Sequence, residues 1–295
     1  MPFTYHCHSG QFCLHASGTL EDVVKSAIDK NFKILGLSEH APRSRIQDLY
    51  PEENHLTLEN IFEMFSDYIT EARRLKTVYK DKIKILVGME SEWIKDGLTT
   101  AQKDIFKQFS CEYIIGSLHH VKGIPIDFDL PTYQFALKNC NNDVEELSFN
   151  YYKEQYDMIN DLRPHIIGHF DLIRLFSNEP HILSERCLEV VTKSIKLAIS
   201  YGALFEVNSR SLKKNLKYPY PFPDILQIII TNNGKLTISD DSHAPDQLGL
   251  YYQELREYLI QNNVTRIYYL DTNPENNSVY SKEYKDFFKD DFWSI

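Results

Sequence analysis

Three histidines, His6, His8 and His15, fall within ten positions near the start of the chain. Phe3 to Cys7 reads as a short strand. On a strand alternate side chains share a face, so His6 and His8 point the same way while Cys7 points away as packing. Two imidazoles aimed at one spot can chelate a divalent ion. The plain alternative is two polar residues on a half-buried strand. The same residue types recur far downstream as His40, Glu90, His119, His169, Asp241 and His243, and Asp241-x-His243 repeats the chelating spacing of His6-x-His8. Imidazoles mixed with carboxylates are a donor set for zinc, manganese or iron.

The elements that must position these groups form a repeating alternation. After the opening strand, apolar runs stand at Lys33–Leu37, Ile83–Val87, Tyr113–Ser117, His165–Ile167, Ala203–Val207 and Lys235–Ile238. Between them lie helical patterns: Leu20–Asn31 behind Thr19, Thr57–Tyr79, residues 99–109, Asp143–Leu162, the stretch from Ser184 to Tyr201, and Pro223–Asn233 stopped by Gly234. A helix around Asp246–Asn262 and a last apolar run, Arg266–Leu270, follow, and Val121–Tyr133 reads as a long loop. Seven or eight such alternations predict a parallel sheet, closed into a TIM-like barrel in preference to an open doubly wound sheet. No G-x-G-x-x-G follows the first strand, so the usual dinucleotide signature of the open form is absent.

In a closed barrel the C-terminal strand ends share one rim, where active sites sit. His6 and His8, His40, Glu90, His119, His169, and Asp241 with His243 all fall at or just beyond such an end. With His15 they exceed the four ligands of one tetrahedral ion, so two or three ions are implied. Glu90 has two oxygens and can bridge a pair of them. Paired divalent ions suit hydrolysis of a phosphate ester.

Composition narrows the partners. The 295 residues are 42% hydrophobic and 25% charged, as in an ordinary globular chain. A net charge of −10 argues against nucleic acid as the main partner. No apolar run is long enough for a membrane span, and the opening residues lack the pattern of a secretory signal. Five scattered cysteines without a C-x-x-C pair fit a reduced, cytoplasmic chain. With no linker or repeat, residues 1–295 read as one domain. The tail from Tyr284 to Ile295 is an interaction segment or a docked end, and the oligomeric state is not legible.

The motifs, taken together, resemble the PHP (polymerase and histidinol phosphatase) superfamily, in its monofunctional histidinol-phosphatase branch of fungi and many bacteria. They are His6-Cys7-His8 with His15, Ser38-Glu39-His40-Ala41-Pro42-Arg43, Gly88-Met89-Glu90 and Gly116-Ser117-Leu118-His119. The series continues through Gly123-Ile124-Pro125-Ile126-Asp127, Gly168-His169-Phe170-Asp171-Leu172-Ile173-Arg174, Glu206-Val207-Asn208 and Ser239-Asp240-Asp241-Ser242-His243. The resemblance implies a distorted (β/α)7 barrel, which would leave Arg266–Leu270 peripheral. It also implies a trinuclear site. One ion would take His6, His8, Glu90 and Asp241; a second Glu90, His119 and His169; a third His15, His40 and His243. The implied activity is hydrolysis of histidinol phosphate in histidine biosynthesis, with a metal-bridged hydroxide attacking phosphorus and Glu90, Asp241 and His243 at the centre of catalysis.

Candidate cations for the phosphate are Arg43, Lys122, Arg174 and Arg210; Arg174 has the alternative of bracing Asp171. Asp127 and Asp129 are candidates for the substrate's ammonium and imidazole, or for holding their own loop. Glu39 reads as a carboxylate behind a metal-bound imidazole. His120, His55, His165 and His181 are assigned no ligand role. The rival readings are a PHP-type phosphoesterase or nuclease of other specificity, and a metal-binding regulatory protein without catalysis. Amidohydrolases also open with His-x-His, but often bridge their metals with a lysine, and here the third strand ends in Glu90.

Overall fold

The computed structural model describes residues 2–95, 99–177, 183–276 and 278–294. Seven strands form one parallel sheet in chain order: β1 (Phe3–Thr4), β2 (Ile34–Leu37), β3 (Lys84–Glu90), β4 (Tyr113–Gly116), β5 (Ile166–Ile167), β6 (Leu204–Asn208) and β7 (Lys235–Ser239). β2 and β4 are buried along their whole length, as befits parallel strands covered on both faces. The regular part of β1 is shorter than the sequence predicts. Its continuation meets the far edge of the sheet instead: Cys7 bridges Ser242 in parallel, and the His8 N–H donates to the Ser242 carbonyl at 2.7 Å. The sheet thereby curls into a nearly closed barrel.

Helices flank the barrel where the capping signals place them. Thr19 and Asp22 satisfy each other's backbone N–H groups at the start of Leu20–Asp29, and Thr57 and Asn60 do the same for Leu58–Val78. Thr99–Gln108, Val144–Leu162, Glu185–Ser200 and Pro223–Thr231 complete the crossovers. Among the described residues no helix is long and apolar enough to cross a membrane.

Two further local expectations are corrected, and the peripheral place of the last apolar run is borne out. The segment after β4 is not a plain loop: His120–Val121 and Ile124–Pro125 pair as a hairpin, and Leu130–Lys138 is a helix capped by Asp129. The Asp246–Asn262 pattern holds only over Tyr252–Gln261, because Gly249 (φ 72°) and Tyr251 (φ 59°) turn the chain left-handed before it. The last apolar run pairs antiparallel with Val279–Tyr284 outside the barrel, and Leu270 exchanges hydrogen bonds with the Tyr5 hydroxyl. The aromatic tail docks: Phe292 packs edge-on against Phe32, and the Trp293 indole donates to the Phe287 carbonyl.

Inside the barrel Tyr113 fills the space between β1, β2 and β3. Its hydroxyl donates to the Tyr5 and Leu37 carbonyls at 2.6 and 3.1 Å. Gly36 and Gly88 leave the room it occupies, and a Cβ at either would collide with its ring or hydroxyl.

Candidate metal centre at the barrel mouth

Strand alternation brings His6 and His8 onto one face just past β1, both fully buried. β3 delivers Glu90 between them. Its Oε1 lies 3.0 Å from His6 Nε2, 3.3 Å from His119 Nε2 and 3.1 Å from His169 Nε2. Its Oε2 lies 3.3 Å from His8 Nε2 and 3.0 Å from His40 Nδ1. One carboxylate thus touches five imidazoles from four strand ends. Asp241 Oδ1 completes the near side, 3.6 and 3.5 Å from His6 and His8 Nε2. Asp241 adopts φ 47° in the turn after β7, a region aspartate tolerates. Asp240 holds that turn by accepting from the Ser242 and Gly249 N–H groups. His15, His40 and His243 lie farther out, with ring centroids 5.0–6.4 Å apart, and His15 is partly exposed.

All nine sequence-derived donors therefore face one mouth, in overlapping groups of metal-binding type such as His6/His8/Glu90 and His8/Asp241/His243. The buried Nε2 atoms of His6 and His8, both nitrogens of His40 and Glu90 Oε2 crowd together without a well-aligned hydrogen bond to any protein group. Polar atoms this buried are ordinarily satisfied, so the donor set fits divalent ions. The electrostatics agree. Burial alone would lower His6, yet Glu90, Asp241 and Glu206 hold it well above its ordinary value. His8 is raised to about 10: burial and His40 oppose its charge, and Asp241, Glu39 and Glu90 outweigh them. Burial opposes ionisation of Asp241, but His6 and His8 keep it well below the usual carboxylate range.

Further residues orient these donors. Glu206 Oε1 lies 2.9 Å from His6 Nδ1, and its Oε2 accepts from the His169 N–H at 2.7 Å and from Asn208 Nδ2. Glu92 Oε1 lies 2.8 Å from His40 Nδ1 and 3.4 Å from His119 Nδ1. Sequence reasoning gave neither a role, although both stand where alternation indicates: Glu92 is two residues past Glu90, and Glu206 two before Asn208. Glu39 reaches His8 Nδ1, at 3.4 Å, while Ser9 donates to its other oxygen. Glu52 lies 2.6 Å from His15 Nδ1, and Cys13 Sγ 3.2 Å from His15 Nε2; neither was anticipated.

The mouth opens into a cavity of about 330 Å³ lined by Tyr50, Asp127, Phe128, Arg210, Lys214 and Tyr220 besides the donors. Of the four candidate cations only Arg210 lines it. Arg43 is buried in an ion pair with Glu53 and lies over the Tyr50 ring. Arg174 is committed to Asp224 through two hydrogen bonds, with Asp171 beside it. Lys122 stands in the hairpin turn at φ 52°, along a separate groove with Arg45 and Glu154. Lys214 was missed; it stands one helical turn beyond Arg210, just past the short helix Arg210–Lys213. Asp127 has one buried oxygen without a hydrogen-bond partner, and burial pushes its carboxyl up. Asp129 instead caps its helix by accepting from the Thr132 N–H at 2.7 Å. His120 is buried against Tyr50, and burial lowers it to about 4. His165 accepts from the Ile114 N–H, His55 is exposed, and His181 lies outside the described residues.

Known proteins resemble this chain over most of its length. Residues 4–210 match the family described as PHP domain. The chain is 42% identical to the "probable histidinol-phosphatase" of Schizosaccharomyces pombe, over 96% of this chain and 94% of that one. It is 28% identical to the histidinol-phosphatase of Saccharomyces cerevisiae over 99% of each. A solved structure, histidinol phosphate phosphatase from Lactococcus lactis subsp. lactis complexed with zinc, L-histidinol and phosphate, matches with a TM-score of 0.69 at 20% identity, covering 90% of this chain and 95% of that one.

Proposed function

The chain belongs to the PHP domain family, and from that membership and the donors at the mouth we propose that it hydrolyses L-histidinol phosphate to L-histidinol and phosphate in histidine biosynthesis. The observation that carries the reading is Glu90, one buried carboxylate within 3.3 Å of five imidazoles. We assign His6, His8, Glu90 and Asp241 to one ion, Glu90, His119 and His169 to a second, and His15, His40 and His243 to a third. When bound, such ions acidify a water to serve as nucleophile and neutralise charge on the phosphate oxygens.

The chain's own groups do the rest. Glu206 and Glu92 fix the rings of His6, His40 and His119 so that their free nitrogens face inward. Arg210, braced by Gln247 at 2.7 Å, and Lys214 supply positive charge on the cavity wall for the phosphate. The unpartnered oxygen of Asp127 suits the substrate's ammonium or imidazole, and the stacked rings of Tyr50 and Phe128, 5.9 Å apart, offer that imidazole an aromatic wall. Arg43, Lys122 and Arg174 are given no substrate role. Residues 1–295 act as one domain in this reading, in the cytosol, where the five free thiols would stay reduced.

The test is phosphate release by the purified protein from histidinol phosphate, beside other phosphomonoesters and a short single-stranded DNA, with and without chelator. The expected result is a chelator-sensitive preference for histidinol phosphate. Even activity across the esters would remove the substrate assignment and keep the hydrolase. No release from any of them, with ions bound, would favour a binding protein.

A further inference from the structure

We propose that Cys13 is itself a metal ligand, so that the outermost ion is held by one sulfur and the imidazoles of His15, His40 and His243. The inference rests on the three-ion reading above and adds a donor to it. Cys13, His15, His40 and His243 each bring a ligand atom within 4.8 Å of the others. Cys13 Sγ lies 3.2 Å from His15 Nε2. In a tetrahedral zinc site, bonds of about 2.3 Å to sulfur and about 2.0 Å to nitrogen put neighbouring donors roughly 3.5 Å apart. The observed gap is close to one edge of such a tetrahedron.

The surrounding contacts aim these atoms at a common point. Glu52 holds His15 Nδ1, the carboxylate–imidazole pairing that typically fixes a metal-bound ring, and leaves Nε2 to the sulfur. His243 Nδ1 lies 2.9 Å from the Asp241 carbonyl, so its Nε2 is the free nitrogen. His40 Nε2 is buried without a hydrogen-bond partner. The backbone builds the fourth corner: the Cys13 N–H donates to the Ser9 carbonyl at 2.9 Å and the Ala16 N–H to the Cys13 carbonyl at 3.1 Å. This turn carries the thiol inward, where Cys13 is 5% exposed. The spacing Cys13-x-His15 places both donors on it. The donor sets assigned to the other two ions contain no sulfur, so a soft ligand would give the outermost position alone a bias toward zinc, cobalt or cadmium over manganese or magnesium.

Cadmium NMR of the whole chain, stripped of metal and reloaded with cadmium, tests this directly. Three resonances are expected, one displaced far downfield by sulfur. In Cys13→Ser that displacement should vanish and the affinity for one ion should fall at least ~10-fold, with the other two retained. Three undisplaced resonances in the wild type, a displaced resonance that survives Cys13→Ser, or fewer than three bound ions would each overturn the proposal. The wild-type spectrum needs no variant, so a misfolded Cys13→Ser leaves it decisive. Turnover is not read: a protein inactive on histidinol phosphate that still shows the sulfur-shifted signal would remove the substrate and keep the ligand.

Discussion

Burial would normally push a carboxylate such as Glu90 up, but His6, His40 and His119 keep it well below the usual range. A charge held this way is hard to replace. Glu90→Gln keeps the shape and loses the charge, so turnover is expected to fall at least ~10³-fold while circular dichroism and melting show a folded protein. Unfolding of both Glu90→Ala and His243→Ala would instead give those residues a structural role. Glu206 acts one layer back. Glu206→Ala leaves His6 Nδ1 and the His169 N–H without their acceptor, and metal affinity by calorimetric titration is expected to drop ~10–100-fold. At this scale the inward donors were legible because imidazoles and carboxylates at strand ends have little other reason to cluster. Cys13 and Glu52 were not, because they meet His15 through a turn, where no fixed period says which way a side chain points.

Strands and long helices were legible from apolar runs and caps, since burial on both faces leaves β2 and β4 no polar positions. Leu130–Lys138 escaped because Leu130 and Phe135 are exposed and no clean apolar stripe marks it. Close packing between elements was equally invisible. Gly88→Ala, which drives a methyl into Tyr113, is expected to cost ~1–3 kcal/mol in chemical denaturation. On helix Val144–Leu162, Glu154 is 2% exposed, accepts from the Lys122 N–H, and is raised by burial to about 7. A carboxyl whose folded value lies above its unfolded one binds its proton longer in the native state, so stability falls as pH rises from about 4.3 through 7. Glu154→Gln is expected to melt higher than the parent at pH 8, by up to ~3 kcal/mol of stability, with the difference vanishing near pH 4.

For the molecule as a whole, ions that bind only the native mouth add to its stability, each by about 2.7 kcal/mol at a hundredfold excess over Kd. Stripping them is expected to lower the melting temperature by ~5 °C or more. The gap should depend on pH. Without ions, His6 and His8 carry folded values above the unfolded one, so the stability they supply is full below pH ~6.5 and is lost as pH rises toward the His8 value of about 10. Loaded protein has no such loss, because ions bind the neutral rings. Paired melting curves are expected to diverge from pH 6.5 upward; parallel curves would remove these histidines from the ion site.

The bridge from Cys7 to Ser242 also sets a clock. Translation delivers His6 and His8 first, and their partners Asp241 and His243 come from the far end of the barrel. A nascent chain therefore carries two bare imidazoles and an unzipped edge until the seventh strand has left the ribosome. The full donor set is therefore complete only late in synthesis, and a prematurely terminated polypeptide lacks the other half of the clasp.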